Sequence, residues 1–200
     1  MFKACVLGSG SGGNCTAVWT STTRVLIDAG GGLRPGYILQ QLKRLSLARV
    51  DAILVTHAHG DHINQTTLDL SCDRGIPVYC NRITWRVAKS KNGDLQTLEE
   101  CRPKLVRFFQ DGPFRVGDLT VKPFLVPHEG CRQHYGHRGN DHAGSPVGFA
   151  ISHEQRGRTY GLGYATDLEV RPETGGLGHA TSSWRWEEEP LSPFHVADET

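Results

Sequence analysis

Two hundred residues with a formal net charge of +1 and 22% charged side chains describe one domain of ordinary size, large enough to bury a core without disulfide staples. That balance excludes the strongly basic surface of a dedicated nucleic-acid binder and the composition of an acidic disordered chain, so any nucleic-acid contact must be local. Six cysteines are scattered without Cys-x-x-Cys pairs, and free thiols are expected. The apolar run Ala4 to Leu7 is too short for a signal peptide and nothing approaches the length of a membrane span, so a cytoplasmic protein is expected.

In chain order, Lys3 to Leu7 and Ala17 to Thr20 predict a hairpin around Gly8-Ser9-Gly10-Ser11-Gly12-Gly13-Asn14. That stretch lacks the Gly-Lys-Ser/Thr ending and the following helix of a phosphate loop, and reads as a flexible turn. A strand is expected at Thr23 to Asp28. Pro35 then opens an amphipathic helix in which Ile38, Leu39, Leu42 and Leu45 recur at three- and four-residue steps, with Lys43 and Arg44 near its end.

The apolar run Ala52-Ile53-Leu54-Val55 predicts a strand, and behind it stands Thr56-His57-Ala58-His59-Gly60-Asp61-His62. Four potential ligands fall within six residues, at a strand end where a scaffold hands its chain to a functional loop. Imidazole nitrogen and carboxylate oxygen suit zinc, manganese or iron rather than calcium. Residues two apart on an extended backbone project to one side, so His57 and His59 can grip one ion while Asp61 and His62 turn toward a second position.

Further on, a short helix is expected at Thr67 to Cys72, a strand at Ile76 to Cys80, a helix at Arg82 to Ala88, and a polar loop over residues 90–104. The remainder reads as strands at Leu105 to Phe109, Phe114 to Val116, Leu119 to Val126, Val147 to Ser152 and Thr159 to Ala165, with a turn at Glu154 to Gly157. An α/β half followed by a strand-rich half is compatible with several folds.

The His-x-His-x-Asp-His pattern resembles the metallo-β-lactamase fold superfamily of metal-dependent hydrolases. Within it, the chain looks closest to the bacterial exonuclease-like WalJ (YycJ) branch, on Leu7 to Asn14, Leu26-Ile27-Asp28-Ala29-Gly30, Val126-Pro127-His128-Glu129-Gly130, Pro146-Val147-Gly148-Phe149 and Tyr164-Ala165-Thr166-Asp167-Leu168. The resemblance implies an α+β fold, a four-layer αβ/βα sandwich of two sheets faced by helices, here with an incomplete second half. It implies two divalent metal ions, zinc with manganese or iron as alternatives: one held by His57, His59 and His128, the other by Asp61 and His62, with Asp167 bridging. Asp61 is the catalytic candidate and Asn14 a substrate contact. Asp28 is a candidate for orienting a ligand histidine, and equally a turn-capping aspartate.

Residues 131–142 (Cys131 to His142) form an insertion that reads as a solvated rim loop, with an extra ligand or a phosphate-backbone surface as the alternative; Asp141-His142 competes with His128 as the ligand segment. After Asp167 the pattern breaks. Residues 1–168 are taken as the hydrolase domain and 169–200 as an atypical tail, a candidate for disorder and for a truncated or frame-shifted end, in which His179 and His195 are weak substitutes for a missing ligand.

The function implied is metal-dependent hydrolysis by a metal-bridging hydroxide, on nucleic acid as an exonuclease-like phosphodiesterase with single-stranded or end-bearing substrate and no membrane partner. The alternatives are a small ester, thioester or lactam hydrolase of the same fold, and a metal-binding chain without turnover.

Overall fold

The computed structural model describes residues 1–110, 112–126 and 146–167. Its first sheet has six strands in chain order: β1 (Lys3–Gly8), β2 (Cys15–Trp19), β3 (Arg24–Ile27), β4 (Ala52–Leu54), β5 (Val78–Cys80) and β6 (Val106–Phe108). The pairs β1–β2 and β2–β3 are antiparallel, as a hairpin meander requires, and β3 to β6 run parallel. Parallel neighbours need crossovers. These are supplied by α1 (Pro35–Arg44), α2 (Gln65–Arg74), and the pair α3 (Arg82–Lys91) and α4 (Gly93–Cys101).

The second sheet is antiparallel, in the order β10–β9–β8–β7, from β7 (Phe114–Val116), β8 (Leu119–Leu125), β9 (Val147–Gln155) and β10 (Arg158–Tyr164). Arg156 and Gly157 both have positive φ, 52° and 72°, the backbone of a two-residue type I′ turn between β9 and β10.

The period-two alternation of the first sheet divides two cores. Ala17, Leu26, Ile53 and Val78 point to the helices and meet Ile38, Leu42, Leu70, Trp85 and Leu95. Val18, Val25, Ile27 and Leu54 point the other way and meet Leu119, Val121, Phe149 and Ile151 of the second sheet. Among the described residues the layers are therefore helices, six-stranded sheet and four-stranded sheet. The α+β reading holds, and no helix on the far face of the second sheet lies among those residues.

Among the described residues, each α-helix after the first starts on an asparagine. Asn64 accepts from Thr66 N at 2.8 Å and shares a capping box with Thr67, Asn81 accepts from Thr84 N at 2.7 Å, and Asn92 accepts from Asp94 N at 3.0 Å, each satisfying a first-turn amide. The last cap corrects the expectation of a loop over residues 90–104, where α4 runs from Gly93 to Cys101. Only Leu95 and Leu98 carry its apolar stripe; both are buried, and this packing stabilises a helix whose other positions are polar. Similarly, Thr67 to Cys72 is the middle of a ten-residue helix that ends at Gly75 in the left-handed conformation.

Trp85 Nε1 donates to Glu99 at 2.9 Å and Lys89 pairs with the same carboxylate, joining α3 to α4. The Lys89 contact, with the Trp85 bond, holds Glu99 below the usual carboxylate range against the opposing effect of burial. A depressed folded-state pKa contributes stability that is present above the unfolded value, about 4.3, and is lost as pH falls through the folded one. Glu99→Gln is therefore expected to narrow the loss of melting temperature between pH 6 and pH 3, read by thermal scans at both pH values. An unchanged gap would reject this role.

Candidate metal centre

Strands β3 and β4 lie side by side and parallel, so the residues that follow them emerge together at one rim. The Asp28 amide donates to Leu54 O at 2.8 Å, and Asp28 itself is wholly buried with φ 59°, a backbone that aspartate tolerates better than most residues. Its carboxylate accepts from Thr56 N at 2.9 Å, from Thr56 Oγ1 at 2.9 and 3.1 Å, and from His62 Nδ1 at 2.8 Å.

This arrangement fixes the protons. An ionised carboxylate only accepts, so the single Thr56 hydroxyl proton goes to Asp28. Thr56 Oγ1 must then accept from His57 Nδ1, 3.0 Å away. Asp28 likewise takes the Nδ1 proton of His62. Both rings are thereby oriented with Nε2 toward the same point, the arrangement of a carboxylate behind a metal-binding histidine.

At that point stands Asp167, three residues beyond β10. Its Oδ2 lies 3.2 Å from His57 Nε2 and 2.9 Å from His62 Nε2. The three ligand atoms fall within 4.8 Å of one another. Ligands about 2.1 Å from a tetrahedral ion are separated by about 3.4 Å, and the three side chains stand close enough together to be candidates for holding a divalent metal. The second sheet is tied to the first at this rim, where Val147 N donates to Thr56 O at 3.1 Å.

Asp61 and Asn14 extend the cluster. Asp61 Oδ2 lies 3.3 Å from His62 Nε2, and Asn14 Nδ2 lies 3.0 Å from Asp61 Oδ2 and 3.1 Å from His62 Nε2. Asn14 is buried, its Oδ1 accepting from Gly10 N at 3.1 Å. The amide expected to meet substrate is thus turned inward, onto the acidic cluster. His59 is half-buried with its ring edge-on to His57, centroids 4.7 Å apart. His128, Asp141, His142, the rest of the 131–142 insertion, His179 and His195 lie outside the described residues.

Electrostatically the two histidines differ. Burial lowers the His57 pKa, with Asp167 opposing. Burial also acts to lower His62, but Asp28 and Asp167 flank it and push it up to about 10. Asp167 is held far below the usual carboxylate range by its bonds to His57 and His62. A site that draws positive charge this strongly between carboxylates suits a cation.

Sequence reasoning assigned no role to Thr56 or to the glycines behind the loop. Gly30 lies against the backbone of Asp61 and His62, where an added Cβ would meet Asp61 C and His62 N at 2.4 Å. The signal was present in Asp28-Ala29-Gly30, but only the fold shows what that glycine approaches.

Residues 23–184 match the Beta-lactamase superfamily domain. The chain belongs to this superfamily. The match runs past residue 168, where the motif pattern breaks. Among superfamily relatives, the chain is 34% identical over 125 residues to exodeoxyribonuclease YycJ of Bacillus anthracis, covering 62% of this chain and 45% of the relative. It is 32% identical over 130 residues to exodeoxyribonuclease WalJ of Streptococcus pneumoniae, covering 64% and 46%. The chain thus spans about half the length of the curated relatives it matches.

Solved structures share the superfamily fold. A subclass B3 metallo-β-lactamase isolated from a soil metagenome library, MEM-A1, aligns with a TM-score of 0.55 at 20% identity over 81% of this chain and 59% of that one. BJP-1, a subclass B3 metallo-β-lactamase of Bradyrhizobium japonicum, aligns with a TM-score of 0.53 at 17% identity over 78% and 56%.

Proposed function

We propose that this superfamily member is a metal-dependent hydrolase acting on nucleic acid as an exonuclease-like phosphodiesterase. The observation that carries the metal reading is one Asp167 oxygen within hydrogen-bond reach of both His57 and His62, which suits a carboxylate shared between two ions. His57, His59 and His128 would hold one ion and Asp61 and His62 the other, with Asp167 common to both. Zinc, manganese and iron all fit this nitrogen and oxygen set.

When bound, such ions supply Lewis acidity, which acidifies water and polarises the scissile group. The chain's own part is orientation. Asp28 and Thr56 keep a proton on each Nδ1, so that Nε2 of each ring is the atom directed to the centre, where a bound cation would take the place of the Nε2 proton that His62 shares with Asp167. Asn14 holds Asp61 against His62 by its amide. The choice of a phosphodiester substrate is supported by the exodeoxyribonuclease relatives; the histidine and carboxylate geometry alone serves esters, thioesters and lactams equally well.

The test couples metal content to turnover. Full-chain protein dialysed against zinc or manganese is expected to hold about two ions per chain by plasma mass spectrometry and to shorten end-labelled single-stranded DNA. Asp167→Ala and Asp61→Ala are each expected to lose ions and to cut the rate by about 100-fold or more. Bound metal with no rate above that of Asp61→Ala would favour a binding chain without turnover, and cleavage of thioesters or lactams in place of DNA would favour the small-molecule alternative.

A further inference from the structure

The rim opposite the metal centre carries a second concave site. Strands β3, β4 and β5 begin there, about 7–10 Å along the strand direction from their metal-facing ends. A cavity of about 490 Å³ opens between those starts and the turn joining β7 to β8. Its charged lining is Arg49, Arg107, Arg115, Asp51 and Asp118.

The carboxylates are already engaged. Asp51 Oδ1 pairs with Arg49 Nε at 3.1 Å and its Oδ2 accepts from Arg24 N at 2.8 Å. Asp118 accepts from Thr20 Oγ1 at 2.9 and 3.0 Å and from Thr22 Oγ1 at 2.8 Å, and its Oδ2 lies 3.5 Å from His153 Nδ1. Arg107 and Arg115 are both exposed, and neither has a carboxylate partner among the described residues. Two guanidinium groups therefore line one concavity without a direct ion-pair partner, and its charged lining, three arginines against two aspartates, keeps a net positive charge.

The walls are rigid. Gly117 turns with φ 56°, packed so closely on Thr23 that a Cβ would lie 2.1 Å from its hydroxyl, and Asp118 N donates to Thr23 Oγ1 at 3.1 Å. Arg107 lies over the Tyr79 ring, Cζ 6.0 Å from its centroid, and that ring stacks on Phe114 at 5.4 Å. An arginine braced on an aromatic ring loses less freedom on binding, and the guanidinium fork matches phosphate oxygens.

We infer that this groove binds phosphate groups through Arg107 and Arg115. The volume suits a nucleoside diphosphate or a short stretch of nucleic-acid backbone. Tyr79 is already engaged by Arg107 and Phe114, so recognition is of the anion and not of a stacked base. The site is independent of the proposed hydrolysis and stands on different residues.

The test is binding without turnover, on the full chain as purified. Fluorescence polarisation follows a labelled phosphorothioate-linked thymidine 12-mer, and calorimetry follows pyrophosphate. The Arg107→Gln/Arg115→Gln double variant is compared with the wild type and with Arg44→Gln/Arg86→Gln, which removes the same charge from exposed helix positions. The groove variant is expected to weaken binding by at least about tenfold, and for the 12-mer to flatten the dependence of log affinity on log salt by about 2. Loss confined to the 12-mer assigns the groove to nucleic-acid backbone; loss confined to pyrophosphate assigns it to small phosphate esters. Affinity for both probes equal to that of the control pair overturns the inference. Hydrolysis at the metal rim, assayed on a small activated diester, is expected to remain at the wild-type rate in the groove variant, so the two readings fail separately.

Discussion

Asp28→Asn is expected to leave the chain folded while lowering its metal affinity by about 10- to 100-fold, whereas Asp28→Ala is expected to lose about 3–5 kcal/mol of stability as well. The difference follows from what the carboxylate receives. Asparagine keeps the shape, tolerates the 59° φ of this position, and offers one oxygen to Thr56 N. Its amide nitrogen must then donate where the carboxylate accepted. Facing His62 Nδ1, that donor selects the other tautomer, with a proton on Nε2 directed at the centre. Alanine leaves Thr56 N, Thr56 Oγ1 and His62 Nδ1 without their buried acceptor. Metal content by plasma mass spectrometry and denaturant melts separate the cases. Wild-type metal content in Asp28→Asn would show that the tautomer is set elsewhere.

The second large effect is steric. Gly30→Ala puts a methyl group 2.4 Å from Asp61 C and His62 N and 2.6 Å from His62 C, all backbone atoms with no rotamer to change. The surrounding bonds allow little retreat: Asn14 N to Asp61 O at 2.8 Å, Ala29 N to His62 O at 3.0 Å, and Gly31 N to Gly60 O at 2.7 Å. Asn64 Nδ2 to Gly31 O and Thr67 Oγ1 to Ala29 O, both at 2.8 Å, brace the other side. The variant is expected to lose about 3 kcal/mol or more and to bind metal at least tenfold more weakly. Gly36→Ala is the contrast, because nothing lies within 4 Å of its added Cβ and the helix gains about 0.4–1 kcal/mol. Chemical denaturation of both variants checks the pair, and equal stability in Gly30→Ala and wild type would mean that the loop yields.

The strand before the His-x-His-x-Asp-His loop, and the places of Asp28 and Asp167 just beyond strands, are legible in the sequence because each is a local pattern: an apolar run ending in polar side chains of defined chemistry. Phe114–Val116 was read to the residue, and Leu119–Leu125 and Arg158–Tyr164 to within one residue at each end. Helix α4 was hidden, since two leucines among polar residues stabilise a helix only once Trp85 and Glu99 fix its partner. The resemblance marks Asn14 as a substrate contact, yet whether its amide faces outward or onto Asp61 depends on the approach of two loops 47 positions apart in the chain. Thr56 lies inside the motif and gave no sign of its function, because proton direction between Asp28 and His57 is a property of three side chains brought together by parallel strand pairing.

The six-stranded sheet follows the chain without a single strand out of order, and this bears on how the molecule assembles. Contacts between successive neighbours carry a low entropic cost of loop closure, so strand pairing within the first sheet is local in the chain, whereas its face of Val18, Val25, Ile27 and Leu54 is covered only by the second sheet. Asp167, which follows β10 of the four-stranded sheet, reaches His57 and His62 only when that sheet is docked on the first. The centre therefore exists only where the two sheets are docked. A cation held between them binds the finished arrangement and not its predecessors, and by mass action it stabilises the docked state in proportion to the logarithm of its free concentration.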